Sequence, residues 1–162
     1  MRLTSWTDYA LRVLMYCAAC QERTEPVTIA EIATAHGISR SHLTKVVVAL
    51  AEQGWLETTR GRGGGLRLMR PADRIPIGAV VRGMEADFSL VECFGLQAEA
   101  CRLTGHCRLQ GLLGQALDAF MQVLDACTLA DLLQPAPAGS RPGRRVPGLP
   151  VAQAVLHRVR AD

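Results

Sequence analysis

The sequence predicts a mainly α protein: a winged helix-turn-helix with a β-hairpin wing and a long C-terminal helix suited to dimerisation. Three observations predict it. Two short helical patterns are separated by Gly37-Ile38-Ser39, two strand-like segments flank Gly61-Arg62-Gly63-Gly64-Gly65, and aromatic residues make up only 4% of a chain that is 49% hydrophobic. A core short of aromatic rings is assembled from Leu, Val, Ile and Ala, which suits helices packed on helices.

Ser5 or Thr7 is placed to cap a first helix in which Leu11, Leu14, Met15 and Ala18 recur at helical spacing, with Pro26 marking its end. The second helix fits Ile29–His36. Thr28 is its N-cap and Glu31 its third helical residue, the spacing at which two free backbone donors are satisfied reciprocally. Gly37-Ile38-Ser39 then turns the chain, and Ser39 caps a third helix whose Leu43, Val46, Val47 and Leu50 project to one side until Gly54 stops it. Helix, three-residue turn, helix is the spacing of a DNA-binding helix-turn-helix.

Segments 55–60 and 66–70 read as strands of a hairpin. Ile77–Met84 follows Pro76 as a fourth helix, and 93–107, which carries Cys93, Cys101 and Cys107, has no sustained period and reads as a loop. From 109 to 127, Leu112, Leu113, Ala116, Phe120, Val123 and Leu124 form a wide apolar stripe that predicts pairing with a second chain. Beyond Gln134 the composition turns to Pro, Gly and Arg. This predicts a disordered basic tail, with 151–160 too short to hold a helix alone.

The net charge of +3 is segregated. Segment 40–74 holds seven basic residues against Glu52, Glu57 and Asp73, whereas 75–134 holds Arg82, Arg102 and Arg108 against seven acidic ones. The basic half is the candidate face for a polyanion. On the third helix Ser41, Thr44 and Lys45 oppose the apolar side, with Arg40 and His42 at its margins and Ser39 at its start. Small polar donors near a helix N-terminus, flanked by cations, suit entry into a major groove. Thr28, at the start of the second helix, joins this set. In the wing, Arg60, Arg62 and Arg67 stand on or beside a turn whose Gly63 and Gly64 let the backbone approach a minor groove or phosphate. The glycine run is no nucleotide-binding loop, because no Lys-Ser or Lys-Thr follows and its flanks are strands.

Other classes fare poorly. No stretch approaches the roughly 18 apolar residues of a membrane span, and no signal-peptide core follows Met1, so a cytoplasmic protein without a membrane partner is expected. His36, His42, His106 and His157 have no catalytic setting. Cys17 and Cys20 lie in the apolar run of the first helix, where core cysteines are the expectation, as is Cys127. An enzyme is not expected.

Cys93, Cys101 and Cys107, separated by seven and five residues, bring three thiols into one loop. Short Cys-x2-4-Cys zinc knuckles are absent, and iron–sulfur clusters accept longer, irregular gaps. Spacing alone leaves a cluster, a thiol redox switch and a zinc site open.

Met1-Arg2-Leu3-Thr4-Ser5, Thr7-Asp8-Tyr9-Ala10-Leu11-Arg12, Ser39-Arg40-Ser41-His42-Leu43, Arg60-Gly61-Arg62-Gly63-Gly64-Gly65-Leu66 and the three-cysteine loop together resemble the iron–sulfur winged-helix repressors over roughly 1–133. Within that family the chain is more similar to the nitric-oxide-sensing branch than to the branch regulating cluster biogenesis. The latter carries a histidine three residues after the last cysteine, where Gln110 stands here. The resemblance implies an iron–sulfur cluster, four-iron (4Fe-4S) favoured over two-iron (2Fe-2S), held by Cys93, Cys101 and Cys107 with Asp8 donated across a homodimer. It implies an inverted-repeat operator in double-stranded DNA, and genes for nitric oxide detoxification released from repression when nitric oxide nitrosylates the cluster. The seven-residue gap between Cys93 and Cys101 is long for the family. These readings divide the chain into a DNA-binding domain (1–88), a cluster-binding loop (89–108), a dimerisation helix (109–134) and a tail (135–162).

Overall fold

The computed structural model describes residues 2–91, 94 and 107–135. The tail and most of the cysteine loop, including Cys93 and Cys101, lie outside the described residues.

Helix α1 spans Ser5–Ala19 and buries Ala10, Val13, Leu14 and Cys17. Its cap is Thr4 rather than Ser5 or Thr7: the Thr4 hydroxyl accepts from the Thr7 N–H at 3.3 Å, and the Thr4 N–H donates to the Glu85 carboxylate at 2.7 Å. Thr7 is fully buried one turn in, its hydroxyl 3.3 Å from that of Thr4. The helix ends at Ala19, well before Pro26.

Helix α2, Ile29–His36, has the expected reciprocal cap. Glu31 accepts from the Thr28 N–H at 2.6 Å, and the Glu31 N–H donates back to the Thr28 hydroxyl at 3.2 Å. Gly37 ends the helix at φ 65°, the left-handed conformation that turns the chain toward α3 without the penalty a Cβ would bring. Helix α3, Arg40–Glu52, is capped by Ser39 and buries Leu43, Val46, Val47 and Leu50.

Strands β1, Leu56–Thr59, and β2, Gly65–Leu68, pair antiparallel with Leu56 opposite Leu68 and Thr59 opposite Gly65. The hairpin is shorter at both strands than the sequence predicted. Between them Gly61 and Gly63 take φ of 94° and 79°, and a Cβ on Gly64 would lie 2.2 Å from the Thr59 carbonyl oxygen. The turn therefore closes only with glycine. On its other edge β2 bonds the loop before α2: Val27 and Leu66 exchange backbone hydrogen bonds of 3.2 and 2.7 Å.

A short 3-10 turn at Ala72–Arg74 leads to helix α4, Ile77–Met84, and helix α5 spans Arg108–Asp125. The C-terminal end of α5 docks on α4 through an Arg82–Asp125 ion pair, and the chain after it bonds back to the start of α4, Ile77 N–H to Cys127 carbonyl and Leu129 N–H to Ile75 carbonyl, both 2.9 Å. One core results, with Leu14, Ile32, Leu43, Leu50, Leu56, Ile75, Val80 and Leu129 almost wholly withdrawn from solvent. No described helix is long and apolar enough to cross a membrane.

Thr28→Ala removes both hydroxyl bonds of the α2 cap and is expected to lower stability by about 1 kcal/mol, whereas Leu14→Ala empties core volume and costs roughly 2–5 kcal/mol. Urea unfolding of the two variants checks the ranking, and equal losses would show that the cap or the core site is wrongly described.

Candidate nucleic-acid interface and cluster ligands

Because α3 commits one side to the core, the opposite side is presented to solvent. Arg40, Ser41, His42, Thr44 and Lys45 are all exposed. Their polar groups are not equally available. The Thr44 hydroxyl donates to the Arg40 carbonyl at 2.8 Å, and the Ser39 hydroxyl accepts from the His42 N–H at 3.3 Å and lies 3.2 Å from the Ser41 hydroxyl. Thr28 is half-buried with its hydroxyl engaged by Glu31. His42 stacks on Tyr9 of α1, ring centroids 6.4 Å apart, a contact across two helices that sequence reading missed.

In the wing Arg60, Arg62 and Gly63 are exposed and Gly64 is half-buried. Among the described residues, Arg40, Lys45, Arg60 and Arg62 form no ion pair with a carboxylate. They are cations without a carboxylate partner on α3 and at the wing tip, a property they share with Arg2, Arg74 and Arg108 elsewhere. Arg67 departs from the reading that sent it toward DNA. Its guanidinium donates to the carbonyls of Arg23, at 3.3 Å, and Thr24. Arg70 lies over the Trp55 ring, 5.4 Å from its centroid.

Of the candidate cluster ligands, Cys107 and Asp8 are described. Cys107 occupies the N-cap position of α5 with a free, half-buried thiol that makes no capping bond. Asp8, in the first turn of α1, accepts from Arg12 Nε at 3.0 Å while its side chain remains 47% exposed. A thiol and a half-exposed carboxylate are suitable donors for iron. Gln110 lies within the first turn of α5. Among the described residues no three metal-ligating side chains converge.

The remaining thiols match the core reading. Cys17 and Cys20 are each 4% exposed, and burial, reinforced by the neighbouring Cys20 and Glu31, pushes the Cys17 thiol up to about 12. A thiol so disfavoured from ionising is a poor nucleophile. Cys127 is half-buried, and burial with the nearby Asp131 raises its pKa as well. His36 was given no role from sequence. Both its ring nitrogens are buried without a hydrogen-bond partner in the described structure, and its ring meets Tyr16 edge-on at 6.0 Å. Burial first, then the positive Arg12, lower its pKa below the ordinary value, while Asp8 acts in the opposite sense.

The Rrf2 family model, described as an iron-dependent transcriptional regulator, matches residues 3–135. The HTH-type transcriptional regulator NsrR of Geobacillus kaustophilus is 52% identical over 134 residues, 83% of this chain and 90% of that protein. NsrR of Bacillus subtilis is 46% identical over the same share of this chain and 91% of its own length. Among solved structures, CymR, the global cysteine regulator of B. subtilis, superposes with a TM-score of 0.67 at 27% identity, covering 82% of this chain and 95% of its own.

The His36 environment carries a pH dependence. With its pKa depressed in the folded state, the unfolded chain binds the proton more readily, so this contribution is level above the ordinary imidazole range and stability is lost as pH falls below it. His36→Met removes the titrating group. Wild-type stability relative to this variant, from urea unfolding, is expected to decline toward acid pH, and a pH-independent difference would contradict the assigned environment.

Proposed function

Because the chain belongs to the Rrf2 family of iron-dependent transcriptional regulators, which are not enzymes, we propose that it is a dimeric NsrR-type repressor whose DNA binding responds to nitric oxide through an iron–sulfur cluster. The observation that carries the DNA-binding part is the set of unpaired cations at the start of α3 and on the wing. In this reading Ser41, Thr44, Lys45 and His42 approach base edges and phosphates in the major groove, with Arg40 at the margin. Arg60 and Arg62, carried by Gly63 and Gly64, meet the adjacent minor groove or backbone. Thr28 and Ser39 act chiefly as caps that orient α2 and α3.

The cluster part rests on the free Cys107 thiol, on Cys93 and Cys101 fourteen and six positions before it in sequence, and on the relation to regulators named NsrR. Cys93, Cys101 and Cys107 would supply three thiolates. The Asp8 carboxylate, donated across the dimer, would be the weaker fourth ligand. When bound, such a cluster supplies iron that reacts with nitric oxide. Residues 1–88 then form the reading head, 89–108 the cluster loop and 109–134 the dimer element, with 135–162 an appended tail. Leu109, Leu112 and Val123 of α5, 58%, 63% and 71% exposed, are offered to a second copy. Two heads so joined would meet successive major grooves of an inverted repeat, about 34–36 Å apart.

Changing Cys93, Cys101 or Cys107 to Ala is expected to abolish both iron–sulfide content and nitric-oxide-sensitive DNA binding. Cys17→Ala keeps both, and Asp8→Ala assembles a more labile cluster. Iron and sulfide analysis beside affinity for a duplex selected from a random pool by the wild-type protein, before and after stoichiometric nitric oxide, tests this. A Cys101→Ala variant with a full cluster would sink the ligand assignment.

Arg62→Ala is expected to weaken binding to the same duplex and to lower the slope of log affinity against log salt by about 0.9, the loss of one phosphate contact, at unchanged iron content. An unchanged slope and affinity would remove the wing tip from the interface.

A further inference from the structure

Arg67 sits mid-strand on β2, directly opposite Glu57 of β1. Opposite charges facing across a hairpin ordinarily attract, yet Arg67 forms no ion pair with Glu57. Its guanidinium instead crosses to the loop between α1 and α2 and donates to two consecutive backbone carbonyls, those of Arg23 and Thr24. The same loop is held to the helix-turn-helix. Arg23 pairs with Glu31 at 3.1 Å, and Glu31 caps α2 through the Thr28 N–H and hydroxyl. Glu31 keeps its carboxyl below the usual range: burial opposes ionisation, but the bonds from Thr28 and Arg23 outweigh it. A continuous run of polar contacts thus links the wing to the N-terminus of α2.

Apolar packing shares this work through Val27 and Leu66, both buried in the core, but it is incomplete beside them. A cleft of about 320 Å³ opens between the end of α1, this loop and β2, lined among others by Cys20, Glu25, Val27, Leu68 and Met69. Above the cleft the wing is joined to the loop by the Val27–Leu66 backbone pair and by the Arg67 bonds. A two-stranded hairpin is marginal without such support.

We propose that Arg67 is a positioning residue for DNA binding. It fixes the wing against the α1–α2 loop, so that Arg60 and Arg62 are presented in a set relation to α3, and it does not itself touch DNA. The proposal rests on the reading of the wing tip as a DNA contact. It assigns Arg67 a role distinct from that of the arginines beside it, although all three share the same basic run.

The test is a double-mutant cycle in the full-length protein, matched for iron content, on a duplex selected from a random pool by the wild type. Arg67→Ala is expected to weaken binding roughly tenfold, the scale of one lost hydrogen bond to a charged donor. In a background lacking both tip cations, Arg60→Ala with Arg62→Ala, the same change should cost less than about twofold, because the tip it positions is already silent. A direct DNA contact, or a general loss of folded protein, would give additive losses. Hydrogen exchange in the DNA-free protein gives a readout independent of the wing-tip reading. Arg67→Ala should speed exchange of the Val27 and Leu66 amides while Val13, Leu14 and Val46 stay protected. Additive losses, or unchanged exchange at Val27 and Leu66, would overturn the proposal. If Arg62→Ala alone left affinity unchanged, the wing-tip reading would fail and with it the positioning role, while the exchange result would still report on the tether itself.

Discussion

Leu43, Val46 and Leu50 of α3 are withdrawn completely from solvent, and a helix with its apolar side committed in this way has no freedom to choose which residues face outward. The three side chains pack in one core with Val13, Leu14 and Ala10 of α1. A rotation of α3 by about half a turn would expose them and bury Thr44 and Lys45, trading several kcal/mol of apolar burial for unsatisfied polar groups. The exposed polar face of α3 is therefore a by-product of the core. The same constraint explains why α2 and α3 need a glycine between them: the turn must deliver α3 to α1 within three residues, and Gly37 does so from a left-handed conformation.

Charge is distributed with the same economy. Cations that support the fold are spoken for: Arg12 by Asp8, Arg23 by Glu31, Arg82 by Asp125, Arg67 by backbone carbonyls and Arg70 by the Trp55 ring. Those at the start of α3 and the wing tip have no carboxylate partner among the described residues. Exposed ion pairs add little to stability, so leaving these cations unpaired sacrifices little in the free protein and leaves them available for phosphate. A basic sequence segment is thus divided by structure into arginines that hold the wing and arginines that extend from it.

That division was not legible in the sequence, and the reason is range. The α2 cap was readable because Thr28 and Glu31 are three residues apart and satisfy each other, and the exposed face of α3 because its period is local. The cap of α1 was misplaced because Thr4, Ser5 and Thr7 all have hydroxyls at suitable spacing. What selects Thr4 is Glu85, 81 positions away. Arg67 was grouped with Arg60 and Arg62 because strand alternation points it outward, while its partners lie 43 and 44 residues back on carbonyls that no sequence pattern announces. The Tyr9–His42 stack and the burial of the His36 ring against Tyr16 are likewise tertiary facts. Of the proposed cluster ligands, sequence spacing picked out the three cysteines but not what they bind, and Asp8 entered only through resemblance, since a carboxylate in the first turn of a helix is equally explained by the helix dipole.

Helix α5 poses the remaining physical question, because among the described residues this amphipathic helix of 18 residues buries none of its own side chains fully. Its C-terminal end is anchored on α4 by Asp125 and by the strand-like return through Thr128 and Leu129. Its first two turns carry both Cys107 at the cap and the exposed Leu109 and Leu112. In the proposed reading, ligation of Cys107 and burial of Leu109 and Leu112 against a second copy order the same short segment. Whichever happens first bears the conformational entropy of fixing it, and the other then proceeds at lower cost, so the two events favour each other without any change in the reading head. In that reading, a cluster thiol at the start of a helix that pairs the chains would give ligand occupancy a direct route to the spacing of two DNA-reading surfaces.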